Sequence, residues 1–331
     1  MLDAPVLVLA DLDISEAGPA MPTGPSLELL TAARSLTDQD VVALVLEQID
    51  PRALTQLAAA GATRVLSADL GRAAALAAAG ADAVVAAVRV VHPAAVLVVS
   101  DYRGKELAGR AAVVLGSACA CDVAELEVVD GELRASKLVL SGSWSTTISV
   151  APRPEETPVI ALRPGAIEAV ADPAAAPAQL EALKVELSPQ AAAVRLVSSE
   201  RAAGSEGPGL AEARTVVVGG RGVDGDFDLV RSLAEPLGAA VGATRVACDE
   251  GWIERSAQIG QTGETVSPRL YVGLGVSGAV HHTSGIQGAG TIVAVCDDSE
   301  APIFEMADYG VVGDVAEVVP QLVEELTRLR G

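Results

Sequence analysis

Aromatic residues make up only 2% of the 331-residue sequence, and its 23 Lys and Arg are outnumbered by 44 Asp and Glu. The resulting net charge of −21 argues against nucleic acid and anionic membrane surfaces as partners, because binding a polyanion by counterion release needs clustered cations. Cysteine is scarce as well. Cys119, Cys121, Cys248 and Cys296 form neither a disulfide framework nor a C-x-x-C zinc pair, which points to reduced thiols and a cytoplasmic location. The opening MLDAPVLVLADLD has no basic segment, and the apolar run over residues 73–88 is cut by Asp82, so neither an export signal nor membrane insertion is expected. Missing too are G-x-S-x-G, a Walker loop and H-E-x-x-H, which leaves hydrolysis, phosphoryl transfer and zinc catalysis without support; no metal ligands are assigned.

What is abundant is small aliphatic residue. With 50% hydrophobic residues and so few aromatics, the core must be built from Ala, Val and Leu, the composition of buried parallel strands covered by helices. The length exceeds one hydrophobic core and favours two domains. Apolar runs at residues 5–11, 41–47 and 63–69 alternate with helical stretches at 26–36, 51–60 and 71–90; a further strand at 95–100 precedes a helix within 101–116. This alternation predicts right-handed crossovers and a parallel sheet. From 122 to 162 strands follow one another, with a turn at Val129-Asp130-Gly131-Glu132, so antiparallel strands are appended. A Pro- and Ala-rich connection at 171–178 and an extended piece at 194–197 lead to a Gly-, Pro- and Ser-rich stretch read as a linker at 204–211, between domains at 1–203 and 212–331. Beyond it the alternation restarts: TVVVGG, a helix over 227–237, TRVACD as a strand, a long loop, RLYVGLG, a short helix from Ser277, TIVAVCDD and a final helix over 315–329. The fold class is α/β with two doubly wound domains, whose ligands bind beyond the carboxyl ends of the strands.

Two G-x-G-x-x-G matches, at Gly220–Gly225 and Gly273–Gly278, each follow an expected strand. Such glycines can let backbone approach a pyrophosphate, or can serve only close packing. The second fits the phosphate reading better, with Ser277-Gly278-Ala279 where a helix would begin; the first reads as a turn with an exposed Arg221. The polar loop between Asp249 and Pro268 is too long for a compact domain to carry without a use, and Gln261 and Thr262 stand there between two glycines. His281 and His282 are two of three histidines; adjacent on a helix they point about 100° apart, so one ligand-facing and one solvent-facing ring fits better than a shared metal. Taken singly, Arg245 is a strand-end charge and Asp314 a helix-start acid.

The ordered run VVVGGRG, VGATR, QIGQTGETVSPRLYVGLGVSGAVHH, TIVAV and EAPIFEMADYGVVGD resembles the alpha subunit of electron-transfer flavoproteins, and SDYRGKELAGR and TPVIALRPGA resemble that family's first domain. The resemblance implies a Rossmann-like FAD-binding second domain, a heterodimer with a beta subunit that the first domain supports, and single-electron transfer from donor dehydrogenases to a quinone reductase or similar acceptor. By motif position it implies Arg221 near the flavin and its phosphates, Thr244 beside the ring and Arg245 over its face. Ile259, Gly260, Gln261 and Thr262 would line the flavin. Ser277, Gly278, Ala279, Val280, His281 and His282 would take the pyrophosphate and ribityl side, with His282 a donor to the flavin O2, and Asp314 the adenosine end. The chain departs from the family's usual pattern at Thr244, Glu264, His281 and Cys296, and loss of an amide at Cys296 should weaken adenosine contacts by roughly 0.5–1.5 kcal/mol. Two rival readings are an NAD(P)-dependent oxidoreductase, with Asp249 or Asp297 as its ribose acid, and a flavin-free scaffold of the same fold.

Overall fold

The computed structural model describes residues 1–13, 20–140, 144–150, 156–198, 209–210 and 213–330. The chain divides into two units, Met1–Ser199 and Glu200–Gly331. The expected linker, apart from Gly209 and Leu210, lies outside the described residues.

In the first unit the chain runs through β1 (Val6–Leu9), the short pair β2 (Leu12–Asp13) and β3 (Met21–Pro22), α1 (Gly24–Leu36), β4 (Val41–Val45), α2 (Pro51–Ala60), β5 (Arg64–Ser67), α3 (Ala77–Val91), β6 (Ala95–Val99) and α4 (Tyr102–Leu115). It continues with β7 (Cys119–Val123), β8 (Glu125–Val129), β9 (Glu132–Val139), β10 (Trp144–Val150), β11 (Val159–Leu162), β12 (Gln179–Ala182) and α5 (Pro189–Ala192). Seven strands pair in parallel in the order β12-β5-β4-β1-β6-β11-β7, and the antiparallel strands β10-β9-β8 form a separate small sheet.

Alternation puts both faces of the large sheet to use. Val6 and Val8 join Leu29, Leu30 and Leu57 of α1 and α2, while Leu7 and Leu9 join Val84, Val88 and Leu107 of α3 and α4. The helices start where capping chemistry dictates: Asp50 and Asp101 accept from backbone N–H groups, Pro51 opens α2, and Gly116 closes α4 in the left-handed region. The structure departs from expectation in three places. The helix read over 71–90 breaks at Leu76, after a 3-10 turn at Gly71–Ala75. The stretch at 194–197 is not a strand, and the edge strand of that side is β12, which follows the Pro- and Ala-rich connection and pairs with β5.

The second unit holds β13 (Thr215–Gly219), α6 (Phe227–Leu237), β14 (Ala240–Ala243), α7 (Arg245–Asp249), β15 (Leu270–Leu274), α8 (Val280–Thr283), β16 (Thr291–Cys296), β17 (Tyr309–Val312) and α9 (Val315–Arg330). Its five strands are parallel, in the order β14-β13-β15-β16-β17. TRVACD is not a strand: the ladder ends at Ala243, and Arg245–Asp249 turns into helix. The short helix begins at Val280, because Gly275 and Gly278 hold the preceding loop at positive φ. One sheet face is covered by α6 and α9 through Phe227, Val230, Leu233, Val315 and Val319. The other is covered by turns, through Ile259, Val266, Ile286 and Ile303. The long polar loop therefore carries part of the core, with Ile259 and Val266 each 1% exposed.

Candidate functional site

All fifteen residues singled out in the sequence lie at or beyond the carboxyl edge of the second sheet. Arg221 follows β13, Thr244 and Arg245 follow β14, residues 277–282 follow β15, Cys296 ends β16 and Asp314 follows β17. Ile259–Thr262 join the same edge because the Ile259 N–H donates to the Ala243 carbonyl at 2.9 Å. The strand order reverses between β13 and β15, the place where doubly wound sheets open a crevice.

At that reversal the two glycine fingerprints meet. The Gly222 N–H donates to the Gly275 carbonyl at 3.0 Å. A Cβ on Gly220 would stand 2.3 Å from the Gly275 oxygen, and one on Gly275, at φ +63, would stand 2.5 Å from Gly222 carbon atoms. The first fingerprint and the first glycine of the loop after β15 thus serve backbone-to-backbone contact. Arg221, on a 3-10 turn, is exposed. Past Gly275, the N–H groups of Val276, Ser277, Gly278 and Ala279 meet no acceptor among the described residues. Consecutive free N–H groups on backbone that takes positive φ at Gly275 and Gly278 are the kind of arrangement that suits an anion.

The loop carrying Gln261 is built as a tight turn. Gly260 donates to the Glu264 carbonyl at 3.0 Å and Glu264 to the Gln258 carbonyl at 2.7 Å, and a Cβ on Gly260 or Gly263 would strike backbone oxygen at 2.4 or 2.3 Å. The Gln261 N–H donates to the His281 carbonyl at 2.7 Å, and His281 Nδ1 lies 2.8 Å from Gln261 Oε1. Gln258 Nε2 donates to Thr262 Oγ1 at 3.0 Å. Gln261, Thr262, Ser277, Ala279 and His281 are exposed.

His282 differs from its expected role. The ring is 5% exposed, with Nδ1 3.0 Å from the Ile259 carbonyl and Nε2 2.7 Å from the Tyr271 hydroxyl. A carbonyl only accepts, so Nδ1 carries the proton and Nε2 accepts from Tyr271. Burial lowers its pKa to about 4, with the bond to Ile259 opposing, and burial raises that of Tyr271. The neutral ring holds the Ile259 turn against β15 and has no proton left to donate to a ligand. Tyr271 was not foreseen, although it is one of only three tyrosines, placed mid-strand.

Cations and acids at the edge are partly committed to each other. Asp249 accepts from Arg245 at 3.2 Å through one oxygen and from Arg255 at 2.6 Å through the other, so both its oxygens are engaged and it does not sit at a strand end as a ribose acid should. Asp314 caps α9 by accepting from the Ala316 N–H at 2.8 Å. Cys296 is buried in the core, its thiol 3.8 Å from Asp297 Oδ1, and offers no side chain at the surface of the edge. The Thr244 hydroxyl oxygen, by contrast, is buried and has no hydrogen-bond partner among the described residues. An orphaned hydroxyl in a folded chain is costly unless a ligand completes it.

Free N–H donors, the orphaned hydroxyl and the exposed Arg221 and Arg245 together suit a large anionic ligand with polar ring edges, so the donor set fits a flavin dinucleotide. Among the described residues no His, Cys, Asp and Glu group has metal-site geometry, and no helix is long and apolar enough to cross a membrane. Residues 209–287 match the family model of the electron transfer flavoprotein FAD-binding domain, and residues 11–188 match the electron transfer flavoprotein domain model. The chain is 40% identical over 309 residues to electron transfer flavoprotein subunit alpha of Mycobacterium leprae, covering 92% of this chain and 94% of the relative. It is 34% identical over 309 residues to the Bacillus subtilis subunit alpha, covering 92% and 93%. The mitochondrial subunit alpha of Arabidopsis thaliana shares 51% over 124 residues, 37% of this chain and 34% of the relative. Matched in both units and along nearly its whole length, this chain belongs to the electron transfer flavoprotein alpha subunit family.

Proposed function

We propose that this chain holds FAD at the carboxyl edge of its second unit and, paired with a beta subunit, carries electrons singly from donor dehydrogenases to a quinone reductase or similar acceptor. The observation that supports the reading is the set of free N–H groups at residues 276–279 at the strand-order reversal, on the same sheet edge as a buried Thr244 hydroxyl without a partner. The N–H groups and Arg221 serve the pyrophosphate, since both are positive and neither is paired with an acceptor among the described residues. Thr244, Arg245 and the Ile259–Thr262 turn serve the flavin ring, and Asp314 and the Cys296 backbone the adenosine end. Bound FAD supplies the redox chemistry. The protein's part is to exclude water and present fixed positive charge where negative charge develops, which a half-paired Arg245 does more strongly in a dry pocket than in water. His282 acts at one remove, by fixing the turn. Residues 1–203 serve the beta subunit contact.

The test is the visible spectrum of the chain purified with its beta subunit and reduced stepwise without oxygen. Flavin bands in one-to-one amount that bleach in two one-electron stages are expected. A colourless, stable heterodimer that refuses added FAD would leave the scaffold reading in place.

A further inference from the structure

Cys119 and Cys121 stand two residues apart on β7, so both side chains leave the same face of the strand, and their Sγ atoms are 3.7 Å apart. β7 is the edge strand of the large sheet, with Cys119 exposed and Cys121 half-buried. The strand carries a bulge beside them: Ile160 and Leu162 of β11 pair with Ala120 and Val123, three steps against two, and Asp122 takes φ +59. A bulge bends its strand and re-aims side chains. This one is anchored, because the Asp122 N–H donates to Ser100 Oγ at 3.0 Å and its carboxylate meets Lys105 Nζ at 2.7 Å. Lys137 of β9 reaches the Cys121 carbonyl at 2.5 Å.

We propose that Cys119 and Cys121 form a redox-active dithiol that a hydroperoxide closes reversibly to a disulfide. Closure asks the sulfurs to approach from 3.7 Å to about 2.05 Å, by side-chain rotation on an exposed edge. Cys121 is the nucleophile: the Cys119 hydrogen bond lowers its pKa to about 7, with Lys137 and Lys105 assisting and burial and Asp122 opposing, while the pKa of Cys119 rises. The Cys121 thiolate attacks one peroxide oxygen, the O–O bond breaks, and the leaving hydroxide is protonated to water. The sulfur of Cys119 then attacks the sulfenic sulfur; its proton and the displaced hydroxyl leave as a second water. Two thiols lose two electrons and two protons, and the peroxide becomes two waters. The other two cysteines have no such partner, Cys296 being buried in the core and Cys248 standing on α7.

The test treats the heterodimer with one equivalent of hydrogen peroxide, then alkylates, digests with trypsin and weighs the peptide of residues 111–134, which holds both cysteines. The expected peptide is lighter by two hydrogens and unalkylated, the thiols of this chain fall from four to two, and dithiothreitol restores them. In Cys119→Ser the sulfenic acid on Cys121 persists and is captured by dimedone. Full alkylation of both cysteines after peroxide, or sulfinic and sulfonic acids formed with no disulfide, would overturn the proposal.

Discussion

The two parallel sheets answer the same topological situation in opposite ways. In the first unit the strand order reverses between β1 and β6, and the crevice there is filled from within: Arg103, at the start of α4, bonds Asp11 Oδ1 and the Ala74 carbonyl, each at 2.7 Å. Burial raises the pKa of Asp11 against the pull of Arg103, and burial, with Asp11 adding, raises that of Glu47 at the end of β4. An edge with acids after two strands, and with Arg103 committed to one of them, repels a phosphate. In the second unit the reversal between β13 and β15 holds glycine against glycine, with N–H groups and a hydroxyl left open. A doubly wound sheet supplies a crevice, while the residues at its rim decide whether it is a ligand site or a sealed seam.

Four substitutions probe the difference between the two sheets. The largest effect is expected from Gly275→Ala, which puts a Cβ at 2.5 Å from Gly222 on a positive-φ residue; it should cost roughly 2–4 kcal/mol and abolish flavin retention, read by thermal melting and flavin content. Next, the pH dependence of the second unit should carry the signature of His282. Its folded pKa lies near 4 against an ordinary 6.5, so the unfolded chain binds the extra proton between these values; stability is full above pH 6.5 and falls by about 3 kcal/mol as the pH drops to 4. Urea midpoints at pH 7 and 4.5 should converge in His282→Gln. Undiminished pH dependence in that variant would assign it to other groups. Arg103→Met leaves Asp11 unpaired and about a quarter exposed, and should cost the first unit about 2 kcal/mol with flavin content unchanged. Smallest is Thr244→Val. Removing a hydroxyl that has no partner among the described residues should leave the flavin-free protein more stable by about 1 kcal/mol, yet weaken FAD binding by about 1 kcal/mol, roughly fivefold by titration.

Much of this was legible in the sequence because it rests on local chemistry. Period-two Val and Leu runs, capping residues such as Asp50 and Asp101, and Gly116 and Gly238 past their helices mark strands and helix ends whatever surrounds them. The ordered motifs likewise placed every singled-out residue on one sheet edge. What went astray were segments whose neighbours decide their state. TRVACD has strand composition, but β14 ends at Ala243 and, after an extended Thr244, the chain enters helix at Arg245, and β17 exists only because β16 offers it an edge.

The α/β class, the two-unit layout, the acidic charge and the family are all written along the chain, since each follows from composition, periodicity or ordered motifs. The rest came from packing between distant segments. It turned the first fingerprint into a packing contact, committed the nitrogens of His282 to Tyr271 and Ile259, left Thr244 without a partner and brought the sulfurs of Cys119 and Cys121 together. The reason is physical: whether a polar group is free or satisfied depends on what lies within about 3 Å of it, and that distance is set by residues far apart in sequence.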